Sequence, residues 1–274
     1  MNFLHRLATT LQKHAYAQTE PVHMQDVCNM EAINSARVID TPYRHVIIDD
    51  IFTKEFYGEL CAYFNRKKAE GLFTKMRDEP HTYRDASQPY DGELLPLAYE
   101  EGEVTEFLFS NQWNLYLSRL LGRVTDQTTA LALHFHPSGD KTGWVHNDYA
   151  TKKFDRKNSL PNKVIPFEWE VPRAKTADVF FSCRAIALVY YFNNDAPEAV
   201  GAGGATLLFA KEGDMLPSVS VAPKNNRLLA FSVTPQTYHV FQENHFDRAS
   251  LVQWLHVDEE WCIAEFHQPP KPYA

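Results

Sequence analysis

The sequence predicts a mainly β domain with supporting helices, on three observations. After residue 125 the chain breaks into short apolar runs separated by turn residues: Thr129 to Phe135, Arg184 to Phe192, Ala205 to Ala210, Arg227 to Val233, Ser250 to His256 and Trp261 to Phe266. Before that point, two stretches place apolar residues at helical period. Between most of the later runs there is no helical pattern, which favours a sandwich or barrel over a doubly wound α/β sheet.

Taken in order, residues 1–40 read as an N-terminal extension. Its first 19 residues carry no acid and include His5, Arg6, Lys13 and His14, but they hold a single Arg and no secretory-type apolar core, so a cytoplasmic address is expected over an organellar one. Arg44 to Phe52 is rich in β-branched residues and reads as a strand, followed by Thr53 as an N-cap. A helix then aligns Phe56, Leu60, Tyr63 and Phe64 on one stripe, and a second aligns Phe109, Trp113, Tyr116, Leu117 and Leu120 before Gly122 stops it. With no repeat or long linker, residues 41–274 form one domain: helical support over 41–124, a β core over 125–267, and a lid or insertion loop over 151–177. That last stretch clusters Lys152, Lys153, Arg156, Lys157 and Lys163, which would suit an anionic substrate or acidic peptide.

Composition excludes several classes. The 274 residues are 44% hydrophobic and 23% charged, enough apolar content for a full core and far from a disordered chain. With 27 Lys+Arg against 35 Asp+Glu the net charge is −8, so no dedicated nucleic-acid binding is expected. No apolar run approaches a membrane span. Cys28, Cys61, Cys183 and Cys262 show no CxxC spacing, which fits a reduced chain without a zinc knuckle or dithiol motif.

The chemistry concentrates near Trp144. His146 and Asp148 lie two positions apart, so on an extended segment both leave the same face, as metal ligands must. A third ligand would complete a two-His, one-carboxylate set with open positions on a non-haem iron. A chain of this composition holds about one His-x-Asp by chance, and His146-x-Asp148 is one of three, with His245-x-Asp247 and His256-x-Asp258. The second, His245 and Asp247, sits in a turn-like stretch with too little chain after it to return a distal His, and reads as an ordinary polar loop. The first has room for a core, and His239 is its distal candidate. Nine residues further, Arg248 lies on a strand-like segment, where a guanidinium can clamp a carboxylate bidentately, and Ser250 shares its face.

The series His146-x-Asp148, YYFNN at Tyr190 to Asn194, Gly203-Gly204-Ala205-Thr206, and His239 followed by Arg248 resembles the Fe(II) and 2-oxoglutarate dependent dioxygenases, within them the prolyl-4-hydroxylase-like branch. HPSGDKTGWVHND is similar to that branch's lead into its iron ligands, and RASLVQWLH to its closing strand. The resemblance covers residues 125–267. It implies a double-stranded β-helix (jelly-roll) core flanked by N-terminal α-helices, with Fe(II) and 2-oxoglutarate as cofactors and ascorbate as a candidate reductant.

Carried over by position, it implies that His146, Asp148 and His239 hold the iron and that Arg248 pairs with the distal carboxylate of 2-oxoglutarate. Tyr191 matches a position whose hydroxyl helps hold that carboxylate, which turns Tyr190 the other way. His136 stands where relatives carry a Tyr ten residues before the first ligand, and His134 shares its strand face. The Asp148 carboxylate, which related halogenases lack, implies hydroxylation of a C–H bond with O2, giving succinate and CO2, on a prolyl residue or on a small amino-acid-like or natural-product molecule. Two rival classes stay open at this point. One is a non-catalytic β-sandwich binding module; the other is a cupin-like metal enzyme without 2-oxoglutarate, which would have no need of Arg248.

Overall fold

A computed structural model of the chain describes residues 23–76, 92–167, 178–194 and 201–272. Two short helices, α1 (Met24–Val27) and α2 (Met30–Ser35), lead into strands β1 (Val38–Ile39) and β2 (His45–Ile48) and the long helix α3 (Lys54–Ala69). Strands β3 (Thr74–Lys75) and β4 (Glu93–Leu97), a 3-10 turn (Val104–Phe109) and helix α4 (Asn111–Leu121) precede the β-rich half. There follow β5 (Thr128–His136), β6 (His146–Asn147), β7 (Thr151–Asp155), β8 (Ile165–Pro166), β9 (Val179–Phe192), β10 (Thr206–Phe209), β11 (Val219–Val221), β12 (Arg227–Ser232), β13 (Tyr238–Phe241), β14 (Arg248–Asp258) and helix α5 (Glu259–Phe266).

Among the described residues the strands form two sheets. The larger runs β1-β2-β12-β9-β14-β5-β4-β3, with β7 beside β9 and β8 beside β5, and the smaller runs β11-β10-β13-β6. Strict alternation on β9, β12 and β14 sorts their side chains into two cores. One face packs Ile186, Leu188, Tyr190, Leu228, Ala230 and Leu251 against the helices; the other packs Ala187, Val189, Tyr191, Leu229 and Phe231 toward Leu208 and Val221 of the smaller sheet. This is the jelly-roll core expected from the resemblance, an open pair of sheets with helices covering one outer face.

The helices form where their sequence signals lie. Thr53 Oγ1 accepts from the Phe56 N–H, and α3 buries Phe56, Leu60, Tyr63 and Phe64. Ser110 caps α4, Gly122 ends it at φ +59°, and the buried face is Trp113, Asn114, Leu117 and Leu121, with Tyr116 and Leu120 at its edge. Trp113 Nε1 donates to the Tyr190 hydroxyl at 2.9 Å, which donates to Gln253 Oε1 at 2.9 Å. This satisfied trio pins α4 to the sheet and confirms that Tyr190 points away from Tyr191.

Four expectations change. Residues 24–39 are not an appendage: Met24, Val27, Cys28 and Ile33 are buried in the helix-side core, Cys28 bridges to Phe52, and β1 pairs with β2. The described part of the 151–177 lid is built into the sheet, with β7 paired to β9 and residues 151–154 buried; residues 168–177 lie outside the described residues. The two charged heads of Lys152 and Lys153 disguised a strand whose stems are covered. Trp261 to Phe266 is helix rather than strand, because Asp258 accepts from the Glu260 and Trp261 N–H groups and starts a helix where a short apolar run alone is ambiguous. Tyr238–Phe241, which the apolar runs did not mark, is a strand. The basic N-terminal residues fall outside the described residues. No helix among the described residues is long and apolar enough to cross a membrane.

Gly203 and Gly204 form a tight connection, as read. A Cβ on Gly203 would lie 1.9 Å from the Glu243 carbonyl oxygen, at a φ of +75°. Gly203→Ala is therefore expected to lower stability by about 3 kcal/mol. Equilibrium urea unfolding measures this, and an unchanged midpoint would refute the constraint.

Candidate active site

The interior between the sheets holds the polar residues singled out from the sequence. Strands β6 and β13 are antiparallel with His146 directly opposite His239, and their ring centroids are 4.4 Å apart. Asp148 follows β6 with its Oδ1 3.8 Å from His146 Nε2 and its Oδ2 3.8 Å from His239 Nε2. One ligand atom from each of the three lies within 4.8 Å of the others. His146 Nδ1 donates to the Trp144 carbonyl at 2.8 Å, which leaves Nε2 as a lone-pair donor facing the carboxylate.

Burial would push the Asp148 carboxyl up, but Arg184, the two imidazoles and the Trp254 N–H hold it well below the usual carboxylate range. Arg184 Nη1 donates to Oδ1 at 3.0 Å and Trp254 Nε1 donates to Oδ2 at 2.7 Å. His239 is pushed down to about 4 by burial, with His146 adding to the fall. At neutral pH the set is thus an ionised carboxylate and an uncharged His239 imidazole, with His146 Nε2 turned to the same point. Two nitrogens and one oxygen converging on one side fit Fe(II), whose remaining positions stay available to other ligands.

A second polar group lies in the same interior, on the larger sheet. Arg248, 3% exposed, donates from Nε to the Gly204 carbonyl at 2.8 Å and from Nη1 to Ser250 Oγ at 3.2 Å. Its guanidinium carbon sits 5.2 Å from the Tyr191 ring centre and 5.0 Å from that of Phe241. The Tyr191 hydroxyl donates to Thr206 Oγ1 at 2.6 Å, and burial pushes the phenol up against the opposing pull of Arg248, so it stays protonated. Arg248, Ser250, Tyr191 and Thr206 make a buried, donor-rich recess suited to a carboxylate.

His136 is engaged within the fold beside the recess. Its Nδ1 lies 2.8 Å from Asp140 Oδ2, its ring stacks on Phe241 at 4.0 Å, and a Cβ on Gly92 would come within 2.8 Å of it. Burial pushes it down to about 4, so it donates to Asp140 as a neutral ring. The second His-x-Asp is a loop: Asp247 Oδ1 accepts from the Ser138 N–H and His245 is exposed. The five basic residues share no site. Lys163 pairs with Glu106, Lys157 with Asp178, Arg156 stacks on Phe180 and Lys152 lies over Phe167.

Sequence reasoning missed Arg184 and the roles of Thr206 and Trp254. Trp254 was legible, since Arg248, Ser250, Val252 and Trp254 alternate onto one face. Arg184 was not: parity assigns the interior to Ala185 and Ala187, but the register slips beside His256, and that bulge lets Arg184 reach the same interior.

Residues 145–256, which carry the His146, Asp148 and His239 set and the Arg248 recess, match the family model of the 2OG-Fe(II) oxygenase superfamily. Among solved structures, a prolyl hydroxylase from Trichoplax adhaerens in complex with a hypoxia inducible factor oxygen degradation domain peptide fragment is similar at 17% identity and a TM-score of 0.55, covering 80% of this chain and 86% of its own. A Pseudomonas putida prolyl-4-hydroxylase is similar at 16% identity and a TM-score of 0.49, covering 74% of this chain and 87% of its own. A search of curated proteins finds no match. Over residues 145–256 the chain is thus similar to the 2OG-Fe(II) oxygenase superfamily, its fold is similar to that of the prolyl hydroxylases, and its His146, Asp148 and His239 donor set fits an iron site.

Proposed function

We propose that this protein is an Fe(II) and 2-oxoglutarate dependent oxygenase that hydroxylates an unactivated C–H bond with O2, with succinate and CO2 as coproducts. The observation that carries the reading is the placement of His146, Asp148 and His239 on the same interior as the Arg248 recess. When bound, Fe(II) with 2-oxoglutarate supplies O2 activation and the oxidising power to break a C–H bond. His146, Asp148 and His239 would hold the metal. Arg184 and Trp254 fix the Asp148 carboxylate through one donor on each oxygen, so that it keeps its orientation and charge. Arg248 and Tyr191, with Ser250 and Thr206 behind them, would hold the far carboxylate of 2-oxoglutarate. His136, clamped by Asp140 and stacked on Phe241, would shape the wall of that recess.

For the organic substrate we favour a prolyl residue in a peptide over a small amino-acid-like molecule; the peptide in the Trichoplax adhaerens structure supports this by likeness of fold. A cytoplasmic setting is supported by four free thiols, at Cys28, Cys61, Cys183 and Cys262. The test is succinate release with Fe(II), 2-oxoglutarate and ascorbate against proline-containing peptides and free amino acids. Peptide-dependent stimulation with a 16 Da gain on proline is expected. Stimulation by free amino acids alone would remove the peptidyl reading.

A further inference from the structure

Of the two imidazoles on the inner face of β5, His134 has the freer position. His134 lies on β5 directly opposite Ser250 of β14, and Ser250 lies directly opposite Tyr191 of β9. Directly opposed residues on antiparallel strands share a face with Cβ atoms about 5 Å apart. His134 therefore stands in one row with two of the residues that form the Arg248 recess. Its ring centre is 6.4 Å from that of His136 on one side and 6.4 Å from that of Trp254 on the other. Trp254 donates to Asp148 Oδ2, so His134 sits between the recess and the Asp148 end of the interior.

Two further features set it apart. Next along β5 on the same face come Ala132 and Ala130, so the nearest polar side chain of that strand on the ring's side of the sheet is His136. The ring is half-buried in the domain interior, and neither nitrogen has a hydrogen-bond partner among the described residues. Burial pushes it down to about 3, with His136 and Arg248 adding to the fall and Asp148 opposing it. The uncharged ring keeps one N–H to give and one lone pair, neither sealed off by the packing, so both are open to an incoming ligand.

We propose that His134 is a further contact for 2-oxoglutarate, donating a ring N–H to a carboxylate oxygen from β5, the strand beside β14 in the sheet that also carries Arg248 and Tyr191. This rests on the reading that 2-oxoglutarate occupies the Arg248 recess. A five-carbon dianion reaching from Arg248 toward His146, Asp148 and His239 passes the row that His134 occupies. One hydrogen bond to a charged group is worth about a ten-fold change in affinity.

The experiment is anaerobic titration of the Fe(II)-loaded protein with 2-oxoglutarate, followed by the visible charge-transfer absorption, for wild type, His134→Phe, His134→Gln and Arg248→Leu. The dissociation constant is expected to rise about ten-fold in His134→Phe and less than three-fold in His134→Gln, whose amide restores a donor. Fe(II) affinity and melting temperature should be unchanged in both. Equal dissociation constants for His134→Phe and wild type, or equal losses in both His134 variants, would overturn the role; a ring that touches only the organic substrate gives the first result. Tight binding lost in Arg248→Leu but kept in His134→Phe would leave the recess reading standing and remove only this inference. Absence of any saturable absorption in wild type would remove both.

Discussion

Replacing His239 by Ala lowers affinity for Fe(II) by about 100-fold or more and abolishes succinate formation. Loss of a residue that merely orients a ligand typically weakens metal binding ten- to a hundred-fold, so loss of a ligand exceeds that range. His239 and His146 are paired across β13 and β6, and both Nε2 atoms approach the same carboxylate. Without His239, one imidazole and Asp148 remain, a pair too weak to hold Fe(II) against water and buffer. The ring also packs 4.9 Å from Phe231, so some stability is lost with it. Metal content after dialysis, read beside the melting temperature, separates the two effects. A folded His239→Ala protein that retains stoichiometric iron would contradict the ligand assignment.

Arg248→Leu is expected to raise the dissociation constant for 2-oxoglutarate by a factor of about 30 to several thousand, the equivalent of the roughly 2–5 kcal/mol lost when one partner of a buried hydrogen-bonded charge pair is truncated. The guanidinium is the charged group of the recess; Ser250, Tyr191 and Thr206 supply only neutral hydroxyls around it. Leu leaves those hydroxyls and an anion without a countercharge in a dry interior. Iron affinity should change little, because Arg248 hydrogen-bonds to Gly204 and Ser250 and to none of His146, Asp148 and His239. A two-fold effect or smaller on 2-oxoglutarate binding would refute the assignment. A cupin-like enzyme without 2-oxoglutarate would show that result.

The parts of the site legible in the sequence are those fixed by strand alternation. His146 and Asp148 share a face because they are two apart. Arg248 and Ser250 do so for the same reason, and Tyr190 and Tyr191 split between the two cores as adjacent residues on a strand must. What the sequence hid depends on contacts between distant segments. The bulge beside His256 that turns Arg184 inward exists only once β9 and β14 pair. The capture of His136 by Asp140 depends on how the loop after β5 folds back. On the scale of the fold, the two helices α3 and α4 carried their caps openly. Strand β7 was masked by Lys152 and Lys153, whose charges speak for a loop while their stems lie buried. Helix α5 was masked by an apolar run too short to show its period, with Asp258 the overlooked signal.

The central claim is that one interior binds Fe(II) through His146, Asp148 and His239 and 2-oxoglutarate through Arg248. Anaerobic addition of Fe(II) and then 2-oxoglutarate to the purified protein, followed by admission of air, tests it most directly. A weak visible charge-transfer band that saturates at one equivalent of each, absent in His239→Ala, with succinate formed on exposure to air, is the predicted result. No band in the wild-type protein, and no succinate in air, would contradict it.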